Sequence, residues 1–462
     1  MTEKESKMQR SRYVRLAAIG LTSLLLASPT LGAEIKKEEG TLPSRFPYMI
    51  NVPENWNGIV INDLDAVANK DGKLAAYLLD HGYAYTGTGR HPERMTRHDP
   101  LTELDAQVAV IKMVKEKFGQ PKYTIQYGCS GGGFVTLAMA EKHADVIDGA
   151  VAFNARGTGG MAVANTWLDL PYTLKALLAP GSNLLVAPVP QDALPAAFDA
   201  WKPVMEKAQQ TPEGRARIAL AVAVSQWPTW GAISNPPKEK PKGDLASLQA
   251  AMFKSASDGL ANAVNRRQLY DNPAGLASWN AGVDYAKFYE VGADPEQKAI
   301  VSKLYQDAGL GEEGIAADLA TINAQPRIEG APEGINYWLE PGRLLEGRIG
   351  VPLLHAHGLG DALLPPHLLA GYAVAIEKQG KGDLYRTAFV DAAGHCETSV
   401  SEATAAIEAM VSRLSTGKWA DTSPAALNAA ASALNLEAPR FVSYTFKTPF
   451  NRAFYSDSRH PF

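Results

Sequence analysis

The chain has 462 residues, of which 46% are hydrophobic and 20% charged, and its formal net charge at pH 7 is −4. This composition excludes a disordered chain, and the length suits one large domain with an insertion, or two domains. A net negative chain has no basic excess to neutralise phosphates, so nucleic acid is not an expected partner.

Residues 1–33 differ from the rest. Lys4, Lys7, Arg10, Arg12 and Arg15 form a basic start, an uncharged apolar run extends from Leu16 to Ala27, and Pro29, Gly32 and Ala33 follow. This is the layout of a secretory signal peptide, and the apolar run is short of the roughly 20 residues that a permanent span needs. Residues 34–462 are therefore expected to be secreted or periplasmic, with no stable membrane span.

Residues 58–62 read as a buried strand, 73–81 as a helix and 83–86 as another strand. Apolar residues at helical spacing (Leu104, Val108, Ile111, Val114) predict a helix over 101–118, ended by Gly119. A strand at 123–127, a glycine-rich turn, a helix at 134–143 and a strand at 147–153 come next. Alternation of this kind predicts a mostly parallel sheet with helices on both faces. From about 156 to 345 the pattern becomes mainly helical, rich in Ala, Leu, Pro and Trp. Strands return at 351–356 and 385–390, followed by a helix at 401–414. The expected organisation is a core in two parts, 34–155 and 346–462, the second with a C-terminal tail. They are separated by a helical insertion, 156–345, lying over the strand ends as a lid. An independent helical domain is the alternative.

Gly128-Cys129-Ser130-Gly131-Gly132 matches Gly-x-Ser-x-Gly and sits between a predicted strand and a predicted helix. That is the setting of the nucleophile turn in the α/β-hydrolase fold. Glycines flanking the serine allow a sharp, strained turn that leaves the hydroxyl clear. The Gly131 N–H, at the start of the following helix, is the expected oxyanion donor. A phosphate-binding loop is disfavoured, because no Lys-Ser/Thr follows the last glycine.

In this fold the acid and then the base follow the serine. Asp361 lies on the loop after strand 351–356, and His395 on the loop after strand 385–390, behind a glycine. Asp391 competes with Asp361 but is close to His395 in sequence. His355 and His357 read as structural residues of a buried strand. The second oxyanion donor is expected after strand 58–62, around Leu64, by fold analogy. Trp227, Trp230 and Trp279 are candidates for an aromatic pocket in the insertion.

The two cysteines, Cys129 and Cys396, precede the proposed nucleophile and follow the proposed base. If Ser130 and His395 meet, the sulfurs come close, and an exported protein allows them to oxidise. Two unrelated thiols are the alternative. The pattern Cys129-Ser130, Asp361, His395-Cys396 resembles the CS-D-HC arrangement of the tannase and feruloyl esterase family. Asn55-Trp56-Asn57-Gly58 and Gly82-Tyr83-Ala84 are similar to segments of its N-terminal half. The resemblance implies an α/β-hydrolase with paired cysteines bridging the active site and a large lid inserted before the acid. Residues 156–345 contain no Asp-rich cluster like the calcium loop that many of its members carry, and no metal or other cofactor is expected. The expected function is a serine esterase acting on a small-molecule ester of a carboxylic or aromatic acid. A serine peptidase on the same fold, or a non-catalytic binding protein on a hydrolase scaffold, is the alternative.

Overall fold

The computed structural model describes residues 34–194 and 196–446, so the expected signal peptide lies outside the described residues. The chain builds a nine-stranded sheet from β1 (Ile35–Thr41), β2 (Pro47–Pro53), β3 (Ile59–Asp63), β4 (Ala84–Thr88), β5 (Tyr123–Cys129), β6 (Gly149–Phe153), β7 (Leu353–Gly360), β8 (Tyr385–Ala393) and β9 (Phe441–Val442). Their order across the sheet is β1-β2-β4-β3-β5-β6-β7-β8-β9. From β4 to β8 every pairing is parallel, while β1, β2 and β9 pair antiparallel at the edges. This is the α/β-hydrolase fold.

The central strands are covered on both faces, so they read as apolar runs rather than alternating ones. All five residues of β3, and all five of β6, are buried. One face packs the Lys73–Asp80 and Val400–Thr416 helices through Leu78, Leu79, Ile407 and Met410. The other carries the helices Pro100–Phe118, Gly131–Lys142 and His367–Lys378 through Leu104, Ile111, Leu137 and Ile376. The Val400–Thr416 helix begins with a capping box, in which Ser399 and Glu402 satisfy each other's backbone N–H.

Between β6 and β7 the chain is helical, with long helices at Gly160–Leu178, Pro212–Val224, Leu245–Asn265, Pro295–Asp307 and Gly311–Ala324. Its two ends lie side by side, joined by an antiparallel bridge between Gly159 and Leu344. Trp167, Trp201, Trp227, Trp279 and Trp338 are buried in one cluster that continues into Ala362, Leu363, Leu364 and Leu368 of the core. The insertion is thus rooted in the loop after β7. Among the described residues no helix is long and apolar enough to cross a membrane.

Candidate active site

β5 runs into the serine turn. Ser130 has φ 61° and ψ −121°, a conformation that side chains rarely adopt. Its N–H donates to Phe153 O (3.1 Å) on β6, and its carbonyl accepts from Phe134 N (2.9 Å), which fixes the turn between strand and helix. The turn leaves no room at Gly128, where a Cβ would sit 2.5 Å from the Gly132 carbonyl carbon. The motif's glycines are required by close backbone approach.

The loop after β7 carries Asp361, which is fully buried. Its carboxylate accepts from Leu363 N (2.8 Å), Leu364 N (2.9 Å), Asn154 Nδ2 (2.7 Å) and His395 Nδ1 (2.7 Å). Burial pushes the Asp361 carboxyl up, but the adjacent His395 and these donors hold it below the usual carboxylate range. The Nδ1 contact leaves His395 Nε2 as the nitrogen available to a reacting group. Asp391 is engaged elsewhere, paired with Lys240 of the insertion at 2.5 Å. His355 and His357 are buried, His355 against the Tyr385 hydroxyl and His357 donating from Nε2 to Leu364 O. His357 thereby buttresses the loop that holds Asp361.

Cys129 and Cys396 form a disulfide, with their Cα atoms 6.1 Å apart. It brings the residue before Ser130 and the residue after His395 to one end of the sheet. The insertion also reaches this end. Ala232 N donates to Gly360 O, Ala362 N donates to Ala232 O, and His395 N donates to Ile233 O.

Gly131 opens the Gly131–Lys142 helix, so its N–H is one of the donors that the helix leaves unpaired. Leu64, just past β3, is buried, and its Cβ lies 3.7 Å from where a Cβ of Gly132 would be. The flanking carboxylates are bound away: Asp65 by Arg90, and Asp63 by the Tyr85 hydroxyl (2.8 Å) and Asn69. Trp227 and Trp279 are buried in the insertion's core, whereas Trp230 lines a cavity of about 600 Å³ with Lys240, His367, Asp391 and Tyr444. That cavity is not lined by Ser130, Asp361 or His395. Among the described residues no group of three or more His, Cys, Asp or Glu could hold a metal ion.

Sequence reasoning missed two features. Asn154, at the end of β6 with φ 43°, bridges Asp361 and the Gly358 N–H. Its only signal was its place at the end of a predicted strand. The second is a group of arginines, Arg90, Arg94 and Arg156, around Gly131. Nothing in their spacing groups them.

The strand order and the serine turn define a hydrolase of the α/β type. Among curated proteins, the o-phthalyl amidase of Xanthobacter agilis is 39% identical over 428 residues, covering 86% of this chain and 92% of that protein. The chain belongs to the family of that amidase, and it is a hydrolytic enzyme acting on ester or amide bonds. Among solved structures, an esterase from Aspergillus oryzae matches with a TM-score of 0.40 at 13% identity, covering 83% of this chain and 80% of that one. Tannin acyl hydrolase from Aspergillus niger matches with a TM-score of 0.38 at 13% identity, covering 85% of each chain. No protein-family profile matches the chain.

Proposed function

We propose that the protein is a serine acyl hydrolase in which Ser130 is the nucleophile, His395 its base and Asp361 the acid, cleaving amides or esters of aromatic carboxylic acids. The observation that carries this reading is the Cys129–Cys396 disulfide, which links the neighbours of the proposed nucleophile and base. The CS-D-HC resemblance supports acyl chemistry on aromatic acids, and the name of the Xanthobacter relative supports an amide as the scissile bond.

Ser130 Oγ attacks the acyl carbonyl while His395 Nε2 takes its proton. Gly131 N–H, with Leu64 N–H as second donor, stabilises the oxyanion. The imidazolium then protonates the departing amine or alcohol, and the bond to the leaving group breaks. Water attacks the acyl-enzyme, gives its proton to His395, and the acid departs as the proton returns to Ser130. Asp361 stays ionised throughout and fixes the imidazole tautomer. Residues 156–345 act as the lid that shapes the acyl site. The bond between the cysteines and the basic-apolar start at 1–33 support export to an oxidising compartment.

The test is labelling by a fluorophosphonate probe, with the label mapped by peptide analysis, beside a panel of benzoyl, hydroxycinnamoyl and galloyl amides and esters with peptide controls. The expected result is a label on Ser130 that Ser130→Ala removes. A label elsewhere, or turnover that survives Ser130→Ala, refutes the assignment.

A further inference from the structure

Three guanidinium groups converge beside the proposed oxyanion donor. Were Gly131 to carry a Cβ, Arg156 Nη2 and Arg90 Nη1 would each lie 2.6 Å from it, and Arg94 Nη2 3.0 Å. Arg90 and Arg94 come from the loop after β4, and Arg156 from the segment after β6, so the fold assembles the group from two strand ends.

Each guanidinium is anchored by its far side. Arg90 holds Asp65 through Nε and Nη2, Arg94 holds Glu103 through Nε (3.0 Å), and Arg156 donates from Nη1 to His98 Nε2 (2.7 Å). The nitrogens facing Gly131 are the ones left over. Arg90 Nη1 is buried with no hydrogen-bond partner, its nearest carboxylate oxygen being Glu103 Oε1 at 3.7 Å. Arg156, only 2% exposed, makes no hydrogen bond through Nη2, and its guanidinium packs over the rings of Phe134 and Tyr270.

The charges do not cancel. Asp65 and Glu103 are the two carboxylates in contact with the three guanidinium groups. Asp63 lies further back, tied to Tyr85 and Asn69. His98 adds no negative charge; burial and the neighbouring arginines keep it neutral. Burial draws the Arg94 guanidinium down to about 10, and its Arg156 and Arg90 neighbours add to this. Several N–H donors and surplus positive charge around one glycine form a receptor for a planar anion, since guanidinium and carboxylate match in geometry.

We propose that Arg90, Arg94 and Arg156 form a carboxylate-binding subsite, and that the preferred acyl group carries a second carboxylate on the position adjacent to its scissile carbonyl. Adjacency follows from location. Gly131 N–H addresses the reacting carbonyl oxygen, and the guanidinium nitrogens flank the Cα of the same residue. A carboxylate held there lies next to the reacting carbonyl, not across a ring from it. This inference rests on Ser130 being the nucleophile.

The experiment compares kcat/KM for the anilides of 2-carboxybenzoic, 4-carboxybenzoic and benzoic acids, with enzyme-free controls for self-hydrolysis. The native enzyme is expected to prefer the 2-carboxy compound over the unsubstituted one by about 100-fold, the scale of charge-assisted hydrogen bonds to a buried anion. Arg94→Gln and Arg156→Gln should each lower that ratio by at least about tenfold, and Arg156→Lys should lower it less. An unchanged ratio, including a parallel loss on both substrates, overturns the proposal, because the guanidinium groups would then serve the oxyanion or the fold. A second measurement needs no variant. Benzene-1,2-dicarboxylate should inhibit turnover of the neutral anilide competitively and at least about tenfold more tightly than benzene-1,4-dicarboxylate. Equal inhibition overturns it too. Fluorophosphonate labelling of the native enzyme is read separately, so failure of the Ser130 assignment is distinguishable from failure of the subsite.

Discussion

At Ser130, Asp361 and His395 the local chemistry is set by what the backbone permits. Asp361 meets four donors, so replacing it with Asn turns at least one of those contacts into a mismatch and unlocks the imidazole tautomer. Ser130→Ala and His395→Ala are each expected to lower kcat by about 10⁴-fold or more, and Asp361→Asn by about 10³–10⁴-fold, measured on one activated ester. Asp391→Asn should change kcat by less than about threefold, since removing an exposed ion pair has small effects. A larger loss from Asp391→Asn than from Asp361→Asn would move the acid assignment. These three candidates were legible because a strand, a glycine-bounded serine and the chain order of acid and base are local or ordinal signals. The arginines were not. An arginine reads in sequence as an ordinary surface residue, and only the folded strand ends bring Arg90 and Arg156 together.

At the level of elements, the helices and central strands were legible from periodicity, while the sheet's edges were not. β1 has the sequence Ile-Lys-Lys-Glu-Glu-Gly-Thr and is mostly exposed, the charged character that protects an edge from further pairing. β2 begins and ends in proline. Neither offers the apolar run that marked β3, β5 and β6. The disulfide joins the ends of two strands, β5 and β8, that are not neighbours in the sheet. With a sequence separation of 267, loop closure gives about 5 kcal/mol as an upper figure. Its positional effect is more specific, since an error of about 1 Å between reacting groups costs on the order of 100-fold. The double variant Cys129→Ala, Cys396→Ala is therefore expected to lose at least about tenfold in kcat at temperatures well below its melting point. Full activity there would reduce the bond to a stabilising role.

For the whole molecule, four histidines are buried in neutral form. Burial holds His98, His355 and His357 below the usual imidazole range, and His367 down at about 4. Unfolded, each would take up a proton near pH 6.5. Below that pH the unfolded state binds more protons, so stability falls with pH, by up to about 1.4 kcal/mol per pH unit for each group. Asp63 opposes this. Burial and Asp65 push its carboxyl up to about 6, so it regains stability as pH falls from there toward the unfolded value. Four groups outweigh one, and the melting temperature should drop steadily between pH 6.5 and 5. A flat profile over that interval, measured by calorimetry at constant ionic strength, would mean that these imidazoles are already protonated in the fold.

The same sulfur bond makes residues 129–396 a covalent ring, with the helical insertion inside it and the first three central strands outside it or at its rim. A protease that cuts the insertion once opens the ring without freeing either piece. Such a cleaved molecule should keep its intact apparent mass on a non-reducing gel and separate into two bands only after reduction. A cut before residue 129 or after 396 should release a fragment at once. Limited proteolysis, run with and without reductant, therefore reports which side of the ring each accessible loop occupies.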